Sequence, residues 1–81
     1  MLVPLYGFLK GDTIGLIVLV QDSDSVAEVG RSLQQAAAVR VRPSAAAEVW
    51  FEGHRLDPSQ SVAASGLSAL DRVDVVPLGP P

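Results

Sequence analysis

Apolar residues fall in two runs at the start of the chain. The first run covers residues 2–9, a glycine-containing turn follows at residues 10–12, and the second run covers residues 13–20. Two runs of this length, the second rich in β-branched residues, are typical of a β-hairpin. Both alternating phases of the second run are apolar, with Leu16 in one and Gly15 in the other. Periodicity therefore leaves open which face of this strand is core.

A polar segment, residues 21–25, separates the hairpin from an amphipathic helix predicted over residues 26–37. Apolar side chains recur in the helix at spacings of three and four residues and form one stripe. Ser25 and Glu28 have the spacing of a capping box, in which the serine oxygen accepts from the Glu28 amide and the glutamate returns to the serine N–H. The helix is therefore predicted to begin directly after Ser25.

Four short segments complete the predicted elements: two strands of a second hairpin, one helical turn and a last strand. They cover residues 48–52, 55–56, 62–66 and 73–76 in that order. The two strands are joined by Gly53 and His54, a two-residue link with glycine first, as a type II′ turn prefers. The tail over residues 77–81 contains three prolines, which lack the amide donor, so we expect no β-ladder there.

This order of elements predicts an α+β fold in which one helix packs across a mixed sheet, the β-grasp arrangement. The helix and the sheet each have an apolar stripe, and packing one on the other buries both. We expect Val26, Val29 and Leu33 of the helix to lie under the sheet. Their expected neighbours are Val49, Phe51, Leu67, Val73 and Val75. Residues 1–78 form a single domain in this prediction, and residues 79–81 form a short proline-rich tail.

Composition narrows the classes of function. The chain has 81 residues, no cysteine and a formal net charge of −3, so it is too short for a multidomain enzyme and lacks thiolate chemistry. Its six basic residues are mostly dispersed and leave no footprint for a phosphate backbone. The apolar run over residues 14–20 is too short to span a bilayer. We therefore expect a cytoplasmic protein that binds neither nucleic acid nor membrane.

The apolar content is high for so small a chain, with 48% hydrophobic residues and a mean hydropathy of +0.32. Apolar surface that remains after the core is filled tends to mark a partner interface. Trp50 is the main candidate, because Val49 and Phe51 share the opposite strand phase and the indole must then point away from the core. Outward tryptophans are common interface anchors. The alternative is that the stem of Arg55 or the C-terminal tail covers the ring.

Four further residues are candidates for the same partner surface. Val76 extends the tryptophan patch, as does either Leu16 or its neighbour Gly15. Arg40 and Arg42 follow the predicted helix, and their forked donors suit an acidic strip on a partner. The alternative for the two arginines is that they serve the carbonyls at the end of the helix.

Candidate catalytic and metal-binding groups are few. His54 is the only histidine, and a hydrolytic triad with Asp57 and a serine lacks the accompanying G-x-S-x-G elbow. Asp22 and Asp24 offer oxygen ligands, but a calcium loop needs further ligands at fixed spacing, and helix capping explains the pair. The sequence therefore predicts no catalytic residue, no metal ligand and no cofactor in this chain.

Several segments match one family. A proline among hydrophobic residues is followed by an acidic turn, a β-branched strand, an acid-capped helix, an arginine-valine-proline exit, a Ser-Gly-Leu segment and a late acidic-valine strand. These segments are Val3-Pro4-Leu5, Gly11-Asp12, residues 16–20, Asp24-Ser25-Val26, residues 40–43, Ser65-Gly66-Leu67 and Asp74-Val75-Val76. Together they make the chain resemble the gamma (B) subunit of toluene-type, four-component diiron aromatic monooxygenases, within the ubiquitin-like superfold.

The resemblance implies a non-catalytic accessory subunit of a toluene-4-monooxygenase-like hydroxylase complex. The implied partners are a large hydroxylase alpha subunit and a beta subunit, with the diiron centre in the partner and the aromatic hydrocarbon oxidised there. A diiron carboxylate centre needs Glu-x-x-His pairs on long facing helices, and this chain has a single histidine on a short element. The alternative function is a free-standing ubiquitin-like adaptor of another assembly.

Overall fold

The computed structural model describes residues 1–78, which form a five-stranded mixed sheet with one long helix across one face. The elements are β1 (Leu2–Leu9), β2 (Gly15–Gln21), α1 (Val26–Ala36), β3 (Ala46–Phe51), β4 (His54–Arg55), α2 (Val62–Ser65) and β5 (Arg72–Leu78). The strand order is β2-β1-β5-β3-β4, with β1 and β5 parallel at the centre and the other neighbours antiparallel. The predicted β-grasp fold is confirmed.

The core lies between α1 and the sheet. Val26, Val29 and Leu33 on the helix are fully buried, as expected from their spacing. They belong to one hydrophobic cluster with the strand and loop residues expected beside them, while Phe51 packs on that cluster partly buried. The cluster neighbours are Val49, Leu67, Val73 and Val75. This confirms the predicted core.

The structure identifies which face of β2 is core. Val18 and Val20 are buried against the helix side, and Leu16 in the same phase packs partly buried on the core cluster. Ile17 and Leu19 point to the opposite face, where their side chains are 54% and 62% exposed. The second strand therefore keeps two large apolar side chains in solvent on its outward face.

The second hairpin turns one residue earlier than predicted. Phe51 pairs directly with His54, and the two turn residues are Glu52 and Gly53, with φ angles of 51° and 79°. Positive φ at both central residues is the signature of a type I′ turn, which matches the twist of the flanking strands. The predicted type II′ link at Gly53 and His54 is wrong, because strand pairing places His54 in β4.

The last strand is longer than predicted. Pro77 and Leu78 continue β5, opposite Ala47 and Ala46 of β3. A proline removes only its own amide donor, and its fixed φ remains compatible with an extended chain, so the expectation that the ladder ends before Pro77 is wrong. The remaining predicted tail, residues 79–81, lies outside the described residues.

At the start of α1, one of the two hydrogen bonds of the predicted capping box is formed. The Ser25 side-chain oxygen accepts from the Glu28 amide at 3.3 Å, but the Glu28 carboxylate pairs with Arg31 at 2.6 Å rather than with the serine N–H. The Asp22 carboxylate accepts from the N-terminal ammonium at 3.1 Å, and Asp24 accepts from the last backbone amide of β2 at 2.8 Å. The two aspartates therefore hold the turn before the helix.

Candidate partner-binding face

The sheet face opposite α1, called the outer face below, collects the strand residues that alternate with the buried ones. Side chains of successive strand residues point to opposite faces, so register and burial together assign its members. They are Leu2, Pro4, Tyr6, Phe8, Gly15, Ile17, Leu19, Gln21, Ala46, Glu48, Trp50, Arg55, Arg72, Asp74, Val76 and Leu78. The face divides into an apolar half on β1 and β2 and a more polar half on β3, β4 and β5.

The apolar half carries a continuous exposed strip, which we call the hairpin stripe: Leu2, Tyr6, Ile17 and Leu19. Leu2 is 56% exposed and Tyr6 is 41% exposed, in addition to the two β2 residues described above. Tyr6 lies directly opposite Ile17, and Leu19 lies opposite Pro4. Reasoning from sequence did not single out these four residues. The signal that could have identified Ile17 and Leu19 is that both alternating phases of the second strand are apolar.

Gly15 makes room for the two aromatic rings of β1. The ring centroids of Tyr6 and Phe8 are 4.8 Å apart, and a Cβ at Gly15 would lie 2.5 Å from a Tyr6 ring carbon and 2.8 Å from the Phe8 ring. The rings therefore extend across the glycine toward the edge of the sheet. The Arg72 guanidinium lies 4.0 Å from the Phe8 centroid, a cation–π distance, and this arginine marks the boundary of the apolar half.

Trp50 lies in the polar half and is partly buried. Its indole Nε1 donates to Oε1 of Glu48 at 3.4 Å, and the Arg55 Nη1 donates to the other oxygen at 2.9 Å. These two hydrogen bonds hold the pKa of Glu48 below its usual range, and the bond from Arg55 has the larger effect. Arg55 is also directly opposite Trp50 across the strands. These contacts agree with the alternative in which Arg55 shields part of the ring.

The other apolar candidates, Val76 and Leu16, lie on opposite faces of the sheet. Val76 is half-buried on the outer face, directly opposite Glu48. Leu16 points to the helix side and packs on the core cluster, so it shares no face with Trp50. Gly15, the alternative to Leu16, does point to the outer face.

The arginines after α1 have different surroundings. Arg40 donates to Asp12 from Nε and Nη2, at 2.9 and 2.8 Å, and so joins the helix exit to the turn of the first hairpin. This paired geometry engages both oxygens of the carboxylate at once. The Arg40 bond is the main cause of a lowered pKa for Asp12. Arg42 is exposed.

The lowered pKa of Asp12 predicts a pH dependence of stability. A carboxyl whose folded pKa lies below its unfolded value stabilises the fold at higher pH, and this contribution disappears as the pH falls through the folded pKa. Asp12→Asn is therefore expected to be less stable than the parent at neutral pH, with the difference shrinking below about pH 4. Urea unfolding of both proteins across this range is the measurement. A difference that stays constant with pH would contradict the role given to Asp12.

The polar groups around Asp57 do not form the hydrolytic triad of histidine, aspartate and serine that the sequence analysis considered. The Asp57 carboxylate accepts from the Ser59 amide at 2.9 Å and from its hydroxyl at 2.7 Å, and these bonds lower the pKa of Asp57. Serine and aspartate are thus bonded directly, whereas a triad places an imidazole between them.

Within residues 1–78, no group of three or more His, Cys, Asp or Glu side chains is placed to hold a metal ion. The helices in this range include none long and apolar enough to cross a membrane.

Comparison with known families identifies one match. The model of the family described as toluene-4-monooxygenase system protein B (TmoB) matches residues 2–76. A search of curated protein sequences finds no significant match.

Comparison with solved structures finds ubiquitin-like folds. A chain from a structure described as the toluene 4-monooxygenase HD complex with the inhibitor 4-bromobenzoate has a TM-score of 0.87 at 22% identity, covering 96% of this chain and 100% of that chain. Caldiarchaeum subterraneum ubiquitin has a TM-score of 0.76 at 14% identity, covering 99% and 98%. A chain from a study described as molecular mimicry of SUMO in DNA repair has a TM-score of 0.76 at 23% identity, covering 93% and 90%. At these identities the similarities establish the fold.

Proposed function

The chain belongs to the family of toluene-4-monooxygenase system protein B, and from this membership we infer that it is an accessory subunit of a multicomponent monooxygenase complex. The family match over residues 2–76 carries the conclusion. The alternative of a free-standing adaptor rests on the ubiquitin-like fold alone, which many functions share. The family match therefore decides between the two.

Catalysis is assigned to partner subunits. We propose that a large hydroxylase alpha subunit, with a beta subunit, contains the diiron centre and oxidises the aromatic hydrocarbon. The residues of this chain do not fit such a centre: its single histidine, His54, is exposed on a two-residue strand, whereas the centre needs Glu-x-x-His pairs on facing helices. A cytoplasmic location for the complex is part of the proposal and suits a chain without cysteine.

Docking through the outer face is the mechanism we propose for assembly. Trp50 and Val76 lie on this face beside the exposed apolar half, and Arg42 is exposed and able to meet an acidic group at the rim. Leu16 and Arg40 were candidates for the same surface. Their contacts with the core cluster and with Asp12 favour a role in stabilising the domain.

Metal analysis tests the division of labour. The purified chain is expected to retain no stoichiometric iron after dialysis against a chelator and to oxidise no aromatic substrate. The complex reconstituted with the hydroxylase subunits is expected to contain iron and to turn over. Stoichiometric iron that survives chelation on the isolated chain would contradict the assignment of an accessory subunit.

A further inference from the structure

Exposed apolar side chains concentrate in one part of the molecule. Within residues 1–78, nine large hydrophobic side chains are exposed, and six of them belong to residues 1–19. The hairpin stripe supplies four of the six. Large contiguous apolar patches on a small protein mark interaction sites more often than single exposed hydrophobic residues do. The apolar surplus of this chain therefore lies on the first hairpin, not around Trp50.

The position of β2 in the sheet makes this exposure costly for a free protein. β2 has seven residues and is an edge strand of the sheet formed by residues 1–78, where it pairs with β1 on one side only. Its outward positions are Gly15, Ile17, Leu19 and Gln21, which carry no charge. Edge strands of soluble proteins are usually protected by charge, proline or a bulge, and an antiparallel sheet normally turns a polar face to water. A strand without these protections indicates a surface that is covered in the working protein.

We propose that the hairpin stripe is the centre of the contact with the large hydroxylase subunit. The inference rests on the proposed function and adds to it the surface that binds. Trp50 is three strands away from β2, about 14 Å at the usual strand spacing, so it belongs to the periphery of this contact.

The surroundings of the stripe fit a partner with a matching apolar site. Protein interfaces have an apolar centre and a polar rim. Here the polar half of the outer face carries ion pairs closed within the chain, Arg72 with Asp74 at 3.0 Å and Arg55 with Glu48 at 2.9 Å. The charges of this rim therefore largely cancel within the chain, and the partner surface that meets them need not be charged.

The size of the face also suits one partner. The described part of the molecule measures 31 × 20 × 20 Å, so one whole side of it is of the same order as the roughly 800 Å² that each partner contributes to a standard interface. A single large subunit is therefore able to cover the stripe, the open edge of β2 and the polar rim together. A second copy of this chain, pairing edge to edge through β2, is the competing occupant.

Charge placed on the stripe tests the proposal. The double variant Ile17→Glu with Leu19→Glu puts two carboxylates where the partner is expected to be apolar, and burying them unpaired is strongly unfavourable. We expect its affinity for purified hydroxylase lacking this chain to fall at least about a hundredfold. The matched control is Val39→Glu, since Val39 is 88% exposed outside the stripe. Its affinity is expected to stay within about twofold of the parent.

The outcomes separate the two proposals. If the folded double variant binds the hydroxylase as tightly as the parent, the hairpin stripe is overturned while the accessory function stands. If the parent itself does not bind, the proposed function fails. A parent dimer that the glutamates dissociate, with hydroxylase binding unchanged, would identify a second copy as the occupant. If the glutamates unfold the domain, the double variant Ile17→Thr with Leu19→Thr is the test. Threonine keeps strand propensity and removes apolar surface. Its affinity for the hydroxylase is expected to fall at least about tenfold.

Discussion

Leu33→Ala is expected to lower the free energy of unfolding by about 2–5 kcal/mol. Leu33 is fully buried in the core cluster, and its side chain lies so close to β1 that a Cβ at Gly7 would be 2.9 Å from its methyl carbons. The glycine backbone fits this contact, so truncation of the leucine leaves a cavity that rigid strand backbone cannot easily fill. A domain this small has a total stability on the order of 5 kcal/mol.

Urea unfolding followed by circular dichroism measures the effect. Val39→Ala is the matched control, because Val39 is 88% exposed and surface truncations usually change stability by less than about 0.5 kcal/mol. A Leu33→Ala variant that unfolds at the parent's midpoint would show that this helix position does not hold the sheet.

Trp50→Ala is expected to weaken binding to the hydroxylase about tenfold, equivalent to about 1.4 kcal/mol. An outward indole at the middle of an interface contributes about 2 kcal/mol or more. Here Trp50 is already partly buried and bonded to Glu48, so less of the ring is newly covered on docking. The domain is expected to stay folded, because Trp50 lies on the outer face, away from the core cluster.

Titration of the variant into purified hydroxylase gives the affinity. Trp50→Phe is the control: it keeps an aromatic ring and loses the bond to Glu48, and its affinity is expected to lie between those of the parent and Trp50→Ala. Binding of Trp50→Ala at the parent's affinity would remove Trp50 from the interface, while leaving the hairpin stripe to its own test.

The sequence was sufficient to predict the elements that depend on local pattern. The spacing of Val26, Val29 and Leu33 identified the buried side of α1, and Ser25 identified where the helix begins. The predicted turn of the second hairpin lay one residue too late in the chain. Both Glu52-Gly53 and Gly53-His54 contain the glycine that a tight turn needs, and only the pairing of the strands chooses between them.

The candidate site was harder to predict, because it depends on which side of the sheet the helix occupies. With both phases of β2 apolar, Leu16 and Ile17 were equivalent in the sequence. Only the fold shows that Leu16 packs on the core cluster and that Ile17 lies in solvent. The pair formed by Asp12 and Arg40 joins residues 28 positions apart. No local pattern identifies such a pair, so the internal role of Arg40 was not visible before the fold was known.

Co-elution with the hydroxylase tests the central claim most directly. The purified chain, mixed at micromolar concentration with purified hydroxylase subunits that lack it, is applied to size-exclusion chromatography. We predict that it elutes with the large subunit in a stoichiometric complex that persists on re-chromatography. Elution of all of the chain as a separate species near its own mass of 8.5 kDa would contradict its function as an accessory subunit of the monooxygenase.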